Sequence, residues 1–244
     1  MRNSKSILIV GIGGLGVPAA LALARAQSVG RIGLIDPDPV ELTNLHRQVI
    51  YTASDFGRPK VEAAASHLRG IDRELDLETF PLALEVDNAG AIIDRFDFVI
   101  DGTDNPATKF LINDVALATD TPFAYGGVLG MSGQAMTVIP HRTACLRCLF
   151  EDVPGATDVA SCREAGILGP IAGAIGYLQA REALSIVEHR TAALAGRILT
   201  YDAIAAPRVR FTQISPRKGC ICGAYERNIA QDEQCKDDRA HARH

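Results

Sequence analysis

The chain has 244 residues, of which 47% are hydrophobic and 22% charged, and its formal net charge is −4 at neutral pH. These values are ordinary for a globular protein, and the negative charge without a basic run argues against a nucleic-acid partner. The longest apolar stretch, residues 166–178, is shorter than the roughly 20 residues that span a bilayer. Because residues 1–5 lead directly into a predicted strand, we expect no signal peptide, no membrane partner and a cytoplasmic location.

Strands and helices alternate in the first half of the chain. The predicted strands cover residues 7–10, 31–35, 75–80, 96–101 and 123–125. The predicted helices cover residues 17–28, 43–50, 59–68, 87–95 and 105–118. This order predicts an α/β fold with a Rossmann-like, doubly wound and mostly parallel sheet.

The pattern changes after the two glycines at positions 126 and 127. Strands are predicted over 135–139, 198–201 and 208–214, and a helix rich in glycine and alanine over 170–188. This order favours a mixed or antiparallel C-terminal extension of the sheet. We interpret residues 1–223 as one domain and expect the polar residues 224–244 to form a disordered tail.

The first predicted strand ends in the sequence GIGGLG at residues 11–16. Gly11 allows a sharp turn, Gly13 and Gly14 let backbone N–H groups approach a phosphate, and Gly16 lets the next helix lie close to the sheet. The N-terminus of that helix adds unpaired N–H groups and a partial positive charge. The pattern predicts a nucleotide site without specifying which nucleotide binds.

Polar and charged side chains follow the second predicted strand. Asp36, 20 residues after Gly16, is placed to accept hydrogen bonds from the ribose of NAD or of an adenine nucleotide. Arg47 and Lys60 could point at the polyphosphate of ATP, and Asn44 could hydrogen-bond to it. For the two cations the competing interpretation is solvated surface charge.

Two carboxylates accompany the end of the fourth predicted strand. Because ligands bind beyond the carboxyl ends of parallel strands, Asp101 and Asp104 should lie on the same rim as the glycine sequence. One of them could hold Mg²⁺ while phosphates complete its coordination shell. We favour Asp104 as the magnesium ligand, with an N-cap of the helix over 105–118 as its alternative role.

Two close cysteine pairs, Cys145 with Cys148 and Cys220 with Cys222, could supply four thiolates to a tetrahedral structural zinc site. The second pair has only one intervening residue, so a ligand from Cys235 or a histidine stays an alternative. Cysteines used in this way are typical of a reducing compartment.

A further cysteine, Cys162, stands apart from these pairs. Arg163 beside it and a following helix could favour its thiolate and make it a nucleophile. An isolated cysteine is as readily inert, so both interpretations stay open.

Taken together, these motifs resemble the ThiF/MoeB/HesA family, relatives of the ubiquitin-activating enzymes, over about residues 7–223. The resemblance is carried by GIGGLG at 11–16, ELTNLHRQ at 41–48, GRPK at 57–60, DGTDN at 101–105, CLRC at 145–148 and SCREAG at 161–166. The sequence around Cys162 is slightly more similar to the ThiF branch than to the other branches of the family.

Two features depart from the family pattern. The surroundings of Arg2 do not match the family's N-terminal segment, whose arginine reaches the partner protomer, and the pair Cys220/Cys222 is one residue shorter than usual.

The resemblance implies an ATP-dependent adenylyltransferase that acts as a homodimer. Its substrate would be the C-terminal glycine carboxylate of a small ubiquitin-like sulfur carrier, ThiS-like or MoaD-like. The implied nucleotide-binding residues are Gly13, Gly14, Gly16, Asp36, Asn44, Arg47, Gln48, Lys60 and Asp104. The implied catalytic residues are Arg47, Lys60, Asp104 and Cys162, the last of which matches the cysteine that links covalently to the activated carrier in thiamine-type members. Mg²⁺ would bind at Asp104, and zinc at the two cysteine pairs.

The chemistry of adenylation agrees with these residue types. A glycine carboxylate is already ionised at neutral pH, so its attack on the α-phosphate needs no general base. The reaction needs alignment and charge neutralisation, which Arg47, Lys60 and a magnesium ion could supply. Two alternatives are adenylation of a peptide or small carboxylate and a catalytically weak nucleotide-binding scaffold. An NAD-dependent dehydrogenase would leave Arg47, Lys60 and the cysteine pairs unexplained.

Overall fold

A computed structural model describes residues 4–150, 166–224 and 227 of the chain. The strands are β1 (Ser6–Val10), β2 (Arg31–Ile35), β3 (Asp76–Phe80), β4 (Phe98–Asp101), β5 (Phe123–Leu129), β6 (Ser132–Val138), β7 (Arg197–Asp202) and β8 (Val209–Gln213). The α-helices are α1 (Gly16–Ala26), α2 (Lys60–Ile71), α3 (Val86–Ile93), α4 (Pro106–Ala118), α5 (Leu146–Leu149) and α6 (Gly169–Val187). Two short 3₁₀ helices, Leu42–Asn44 and Ala53–Asp55, lie between β2 and α2.

The strands form one eight-stranded sheet in the order β3-β2-β1-β4-β5-β6-β7-β8. The first five strands of this order pair in parallel, and β5 to β8 pair antiparallel. The predicted doubly wound sheet with an antiparallel C-terminal extension is therefore confirmed. The strand order reverses between β1 and β4, and in open α/β sheets ligands bind at the carboxyl ends of the strands at such a point.

Strand β1 is buried on both faces, which explains its unbroken apolar sequence. Successive side chains of a strand point to opposite faces. Ile7 and Ile9 accordingly join one buried cluster with residues of α1, α2 and α6, whereas Leu8 and Val10 join another with residues of α3 and α4. This two-sided core fixes the position of the turn that follows Val10. None of the described helices is long and apolar enough to cross a membrane.

Several predicted elements differ from the structure in their bounds, and two of these differences bear on the site. The helix predicted over 43–50 is wrong, because the N–H groups of Arg47 and Gln48 both donate to the carbonyl of Asn44, so the bonds do not continue as a helical ladder. The strand predicted over 123–125 is longer, since antiparallel pairing with β6 carries it through both glycines to Leu129.

Three other sequence predictions are not tested by the fold. Apart from residues 224 and 227, the predicted tail lies outside the described residues, as does Cys162. The single-domain boundary at residue 223 stays a prediction.

Candidate nucleotide site and cysteine cluster

The glycine loop, residues 11–15, leaves β1 and leads into α1. Gly11 has a φ of +85°, a conformation that favours glycine, and its N–H donates to Ile35 O at 2.8 Å. A Cβ on Gly16 would lie 1.9 Å from Gly11 O, so the start of α1 requires glycine there. By contrast, among residues 4–150 and 166–224, no atom would come closer than 3.5 Å to a Cβ on Gly13 or Gly14. The loop is thus tightly packed at its two ends and open at its middle.

The loop after β4 lies directly against the glycine loop. The N–H of Gly102 donates to Val10 O at 2.8 Å. A Cβ on Gly102 would lie 2.8 Å from Gly11 O, so the two backbones touch at this position. This contact places the segment that carries Asp104 beside the glycine loop at the point where the strand order reverses.

Asp36 connects the glycine loop to β2 and α2. It is buried, and its carboxylate accepts hydrogen bonds from the N–H of Ile12 at 2.7 Å and the N–H of Asp38 at 2.9 Å. Burial raises the pKa of Asp36, although the charge of Lys60 and the two N–H groups oppose that rise. The buried Lys60 amine lies 3.5 Å from Asp36 and 2.8 Å from Asp38. The sequence indicated a ribose ligand at Asp36 and gave no sign that this carboxylate also holds the loop.

Arg47 and Gln48 lie beside the open middle of the glycine loop. Side-chain carbons of Arg47 lie 3.7 Å from the Cβ position of Gly14, and Gln48 Nε2 lies 3.5 Å from that of Gly13. Gln48 is buried, and its Oε1 has no hydrogen-bond partner among the described residues. The guanidinium of Arg47 lies 3.3 Å from His46 Nε2. Both residues predicted to bind nucleotide therefore reach the loop.

Asn44 is placed differently from the two residues that follow it. Its side-chain amide donates to Glu41 at 3.0 Å, and its carbonyl accepts from the N–H groups of Arg47 and Gln48. In this conformation Asn44 shapes the turn that presents Arg47 and Gln48. Its predicted contact with phosphate stays a prediction.

The structure separates the two carboxylates near β4. Asp101 is fully buried, and its carboxylate accepts from Thr103 N–H at 3.1 Å, from Thr103 Oγ1 at 2.7 Å and from Lys109 at 3.0 Å. Lys109 also donates to Gly126 O at 2.6 Å. Because Thr103 and Lys109 already engage the carboxylate of Asp101, this group is poorly placed to bind a metal ion.

Asp104 is exposed, and its carboxylate has no hydrogen-bond partner within the described part of the chain. Its alternative role as a helix cap falls to the next residue, since Asn105 precedes α4 and accepts from the N–H of Ala107 at 2.9 Å. The carboxylate of Asp104 is therefore left available to a cation.

Helix α6 supports the glycine loop from behind. A Cβ on Gly176 would lie 2.2 Å from Leu15 O, so the helix packs directly on the loop backbone. Ala172 Cβ lies 3.5 Å from the Cβ position of Gly14. Small residues in α6 thus permit a close approach that a larger side chain would prevent.

Two polar residues of this region, the half-buried Lys109 and the buried Gln179, were missed by the sequence analysis. Lys109 pairs with Asp101, as described above, and Gln179 of α6 donates to Asp101 O at 2.7 Å and to Ala124 O at 3.0 Å. Gln179 is fully buried, and the interruption of an apolar helix by an amide was the one signal for it. The hydrogen bonds of these two side chains connect β4, β5 and α6.

The four paired cysteines come together as predicted. Cys145 directly precedes α5 and Cys148 lies within it, whereas Cys220 and Cys222 lie in the segment after β8. Their sulfur atoms all lie within 4.8 Å of one another and could hold a metal ion. The N–H of Arg217 donates to Cys148 Sγ at 3.4 Å. The pKa of Cys148 is lowered, because Cys145 and Cys222 donate hydrogen bonds to its sulfur.

Helix α4 holds the first cysteine pair in place. Arg147 forms a bidentate ion pair with Asp114, with Nε 2.7 Å from Oδ1 and Nη2 2.6 Å from Oδ2. The N–H of Leu146 donates to Asn113 Oδ1 at 2.9 Å. Outer partners of this kind commonly orient the residues of a metal site. The cluster is therefore a supported feature of the fold.

A glycine loop at the reversal point of a doubly wound sheet is the arrangement of nucleotide-binding α/β domains. The family model described as "ThiF family" matches residues 1–222, so the chain belongs to the ThiF family. The fold is similar to that in a crystal structure of E. coli MccB with ATP, with a TM-score of 0.79, 18% identity and coverage of 90% of this chain and 67% of that one.

Two named relatives illustrate the sequence similarity. An adenylyltransferase and sulfurtransferase MOCS3 of Culex quinquefasciatus is 43% identical over 198 residues, covering 81% of this chain and 45% of the relative. A sulfur carrier protein adenylyltransferase of Thermus thermophilus is 38% identical over 224 residues, covering 89% of this chain and 82% of the relative. The chain thus spans about half the length of the MOCS3 relative and most of the Thermus one.

Proposed function

We propose that this chain is an ATP-dependent adenylyltransferase that activates the C-terminal glycine carboxylate of a small ubiquitin-like sulfur carrier. The observation that carries the proposal is an open glycine loop with Arg47 beside it, Lys60 at the carboxylate of Asp36 that binds the loop, and Asp104 on the adjoining loop. The name and extent of the Thermus relative support the same activity. A cation-rich site of this kind suits a reaction that transfers a nucleotidyl group.

In this proposal the N–H groups around Gly13 and Gly14 face the phosphates, and Asp36 accepts from the ribose. Each carboxylate oxygen has two lone pairs, so Asp36 keeps acceptor capacity beside the N–H groups that it already binds. Lys60 would exchange its contact with the exposed Asp38 for a phosphate oxygen, and Arg47 would approach from the side of Gly14.

Asp104 would hold Mg²⁺, because it is the exposed carboxylate of this loop, whereas the carboxylate of Asp101 is engaged by Thr103 and Lys109. The ion would offset negative charge on the phosphates. The carrier carboxylate then attacks the α-phosphorus, one P–O bond forms, and the bond to the departing pyrophosphate breaks. Since the carboxylate is ionised before it attacks, no residue of this chain needs to remove a proton.

Zinc is the metal that we propose for the four cysteines. Zn–S bonds of about 2.3 Å place the sulfurs of a tetrahedral site about 3.8 Å apart. Three of the six Sγ–Sγ distances are close to this value, at 3.6 Å for Cys145–Cys220, 3.6 Å for Cys148–Cys222 and 4.0 Å for Cys145–Cys148, and all four sulfurs lie within 4.8 Å of one another. This spacing supports a tetrahedral set despite the single residue between Cys220 and Cys222. Because four cysteines would fill every position of a tetrahedral zinc ion and α4 anchors the first pair through Asn113 and Asp114, the role of the site would be structural.

The remaining features of the proposal rest on the family. We propose a homodimer in the cytoplasm, where the four free thiols would stay reduced. A covalent link between Cys162 and the activated carrier stays a prediction.

The test is pyrophosphate exchange into ATP, measured with a purified carrier that ends in Gly-Gly. The wild-type chain should catalyse exchange with this carrier and not with the same carrier lacking its last glycine. Asp104→Ala should abolish exchange, whereas Asp94→Ala, which changes an exposed aspartate at the opposite end of the sheet, should leave it unchanged. If a short peptide supports pyrophosphate exchange and the Gly-Gly carrier does not, the proposal that the carrier is the substrate is refuted.

A further inference from the structure

The buried Tyr51 connects the two parts of the candidate nucleotide site. Its side chain is 5% exposed, and its hydroxyl lies 2.9 Å from Ile12 O in the glycine loop and 3.3 Å from Lys60 O at the start of α2. We propose that Tyr51 is a positioning residue that sets the separation between the glycine loop and Lys60. This inference rests on the proposed function, since it gives Tyr51 a role in holding ATP.

Tyr51 completes a closed set of contacts around Ile12. The N–H of Ile12 donates to Asp36, and its C=O accepts from Tyr51, so this peptide segment is held from both sides. Asp36 lies 3.5 Å from the amine of Lys60, and Tyr51 reaches the carbonyl of the same lysine. Ile12 directly precedes the open Gly13, so the two links fix the loop where phosphate is proposed to bind.

A hydrogen-bonded cluster outside the site holds Tyr51 in place. The next residue, Thr52, donates to Asp55 through both its N–H and its hydroxyl, each at 3.0 Å. Asp55 also accepts from Arg58 at 2.8 Å and pairs with His67 at 2.8 Å. Since His67 belongs to α2, this cluster locks the segment of Tyr51 to the helix that begins with Lys60.

The hydroxyl of Tyr51 stays a hydrogen-bond donor at physiological pH. Burial, with smaller contributions from the charges of Asp36 and Asp55, raises the pKa of Tyr51 well above its usual range. Removal of this hydroxyl would leave Ile12 O without its donor and free the loop to move relative to Lys60. The ring would still fill the same buried space.

The test is the dissociation constant for Mg-ATP, measured by titration calorimetry on the full chain. Tyr51→Phe should weaken binding by about tenfold, as expected for the loss of one buried hydrogen bond. Tyr177→Phe, which removes a hydroxyl from an exposed position of α6, should bind as the wild type does. In a Lys60→Ala background the effect of Tyr51→Phe should shrink to about threefold or less, because the residue to be positioned is gone.

An unchanged dissociation constant in folded Tyr51→Phe would overturn the inference, as would an undiminished effect in the Lys60→Ala background. If Tyr51→Phe does not fold, Thr52→Val tests the same geometry by removing the hydroxyl that bonds to Ser54 and Asp55 in the supporting cluster. A smaller weakening of ATP binding is then expected, and unchanged binding overturns the inference. If the wild-type protein binds ATP but catalyses no pyrophosphate exchange, the proposed function is refuted. The binding test still decides whether Tyr51 positions the glycine loop relative to Lys60.

Discussion

The contact between α6 and the glycine loop predicts a large difference between two neighbouring glycines. A Cβ on Gly176 would lie 2.2 Å from Leu15 O and 3.1 Å from Leu15 C, whereas ordinary contacts begin near 3.4 Å. Both neighbouring atoms are backbone, so Gly176→Ala must displace the helix or the loop. Such overpacking costs about 1–3 kcal/mol, and the better helix propensity of alanine returns up to about 1 kcal/mol. We therefore expect a net loss of about 1–2 kcal/mol in the free energy of unfolding.

Gly173, one turn earlier on α6, provides the matched control. A Cβ there would meet no atom of the described residues within 4 Å, so Gly173→Ala should gain about 0.5–1 kcal/mol from helix propensity alone. Urea unfolding of the two variants and the wild type measures both effects. The expected order of stability is Gly173→Ala, wild type, Gly176→Ala. Equal or reversed stabilities would refute the direct packing of α6 on Leu15.

Two further predictions concern the cysteine cluster and the cluster behind Tyr51. Cys222→Ser should reduce bound zinc from about one ion per chain and lower the melting temperature, and elemental analysis that finds no zinc in the wild type would contradict the zinc assignment. Although burial raises it, hydrogen bonds from His67 and Thr52 bring the pKa of Asp55 below its ordinary 3.8, to about 2. Its stabilising contribution is therefore complete above pH 3.8 and lost as the pH falls towards 2. The stability difference between wild type and Asp55→Asn, from urea unfolding at several pH values, should narrow over this range, and a constant difference would contradict the assignment.

The sheet could be predicted because its signals are local. A short strand pattern, then turn residues such as glycine, proline or aspartate, then a helical pattern identifies most βα units from neighbouring residues alone. The segment after β2 could not be predicted in this way. Its polar and apolar residues fit a helix, yet burial of Gln48 and Tyr51 against the glycine loop selects a series of turns instead. Similarly, the glycines of β5 suggested an end to the strand, and only pairing with β6 shows that it continues.

The residues of the candidate site also fall into two groups, those that the sequence identified and those that only the assembled fold reveals. Arg47 and Lys60 were singled out as cations after the second strand, and Gln48 through the family resemblance; the structure brings all three to the glycine loop or to Asp36. The contacts of Tyr51 and Lys109 join residues that are far apart in the chain, and no local pattern marks them. Predicting these roles requires knowing which backbone carbonyls face each side chain, and that follows from the assembled fold.

The measurement that tests the central claim most directly is the intact mass of a Gly-Gly carrier after incubation with this chain, ATP and Mg²⁺. The proposed function predicts a carrier that is heavier by one adenylyl group, and no such product from a carrier that lacks its last glycine. A carrier that stays unmodified, while the chain demonstrably binds ATP, would contradict the claim that this chain activates the carrier's carboxylate.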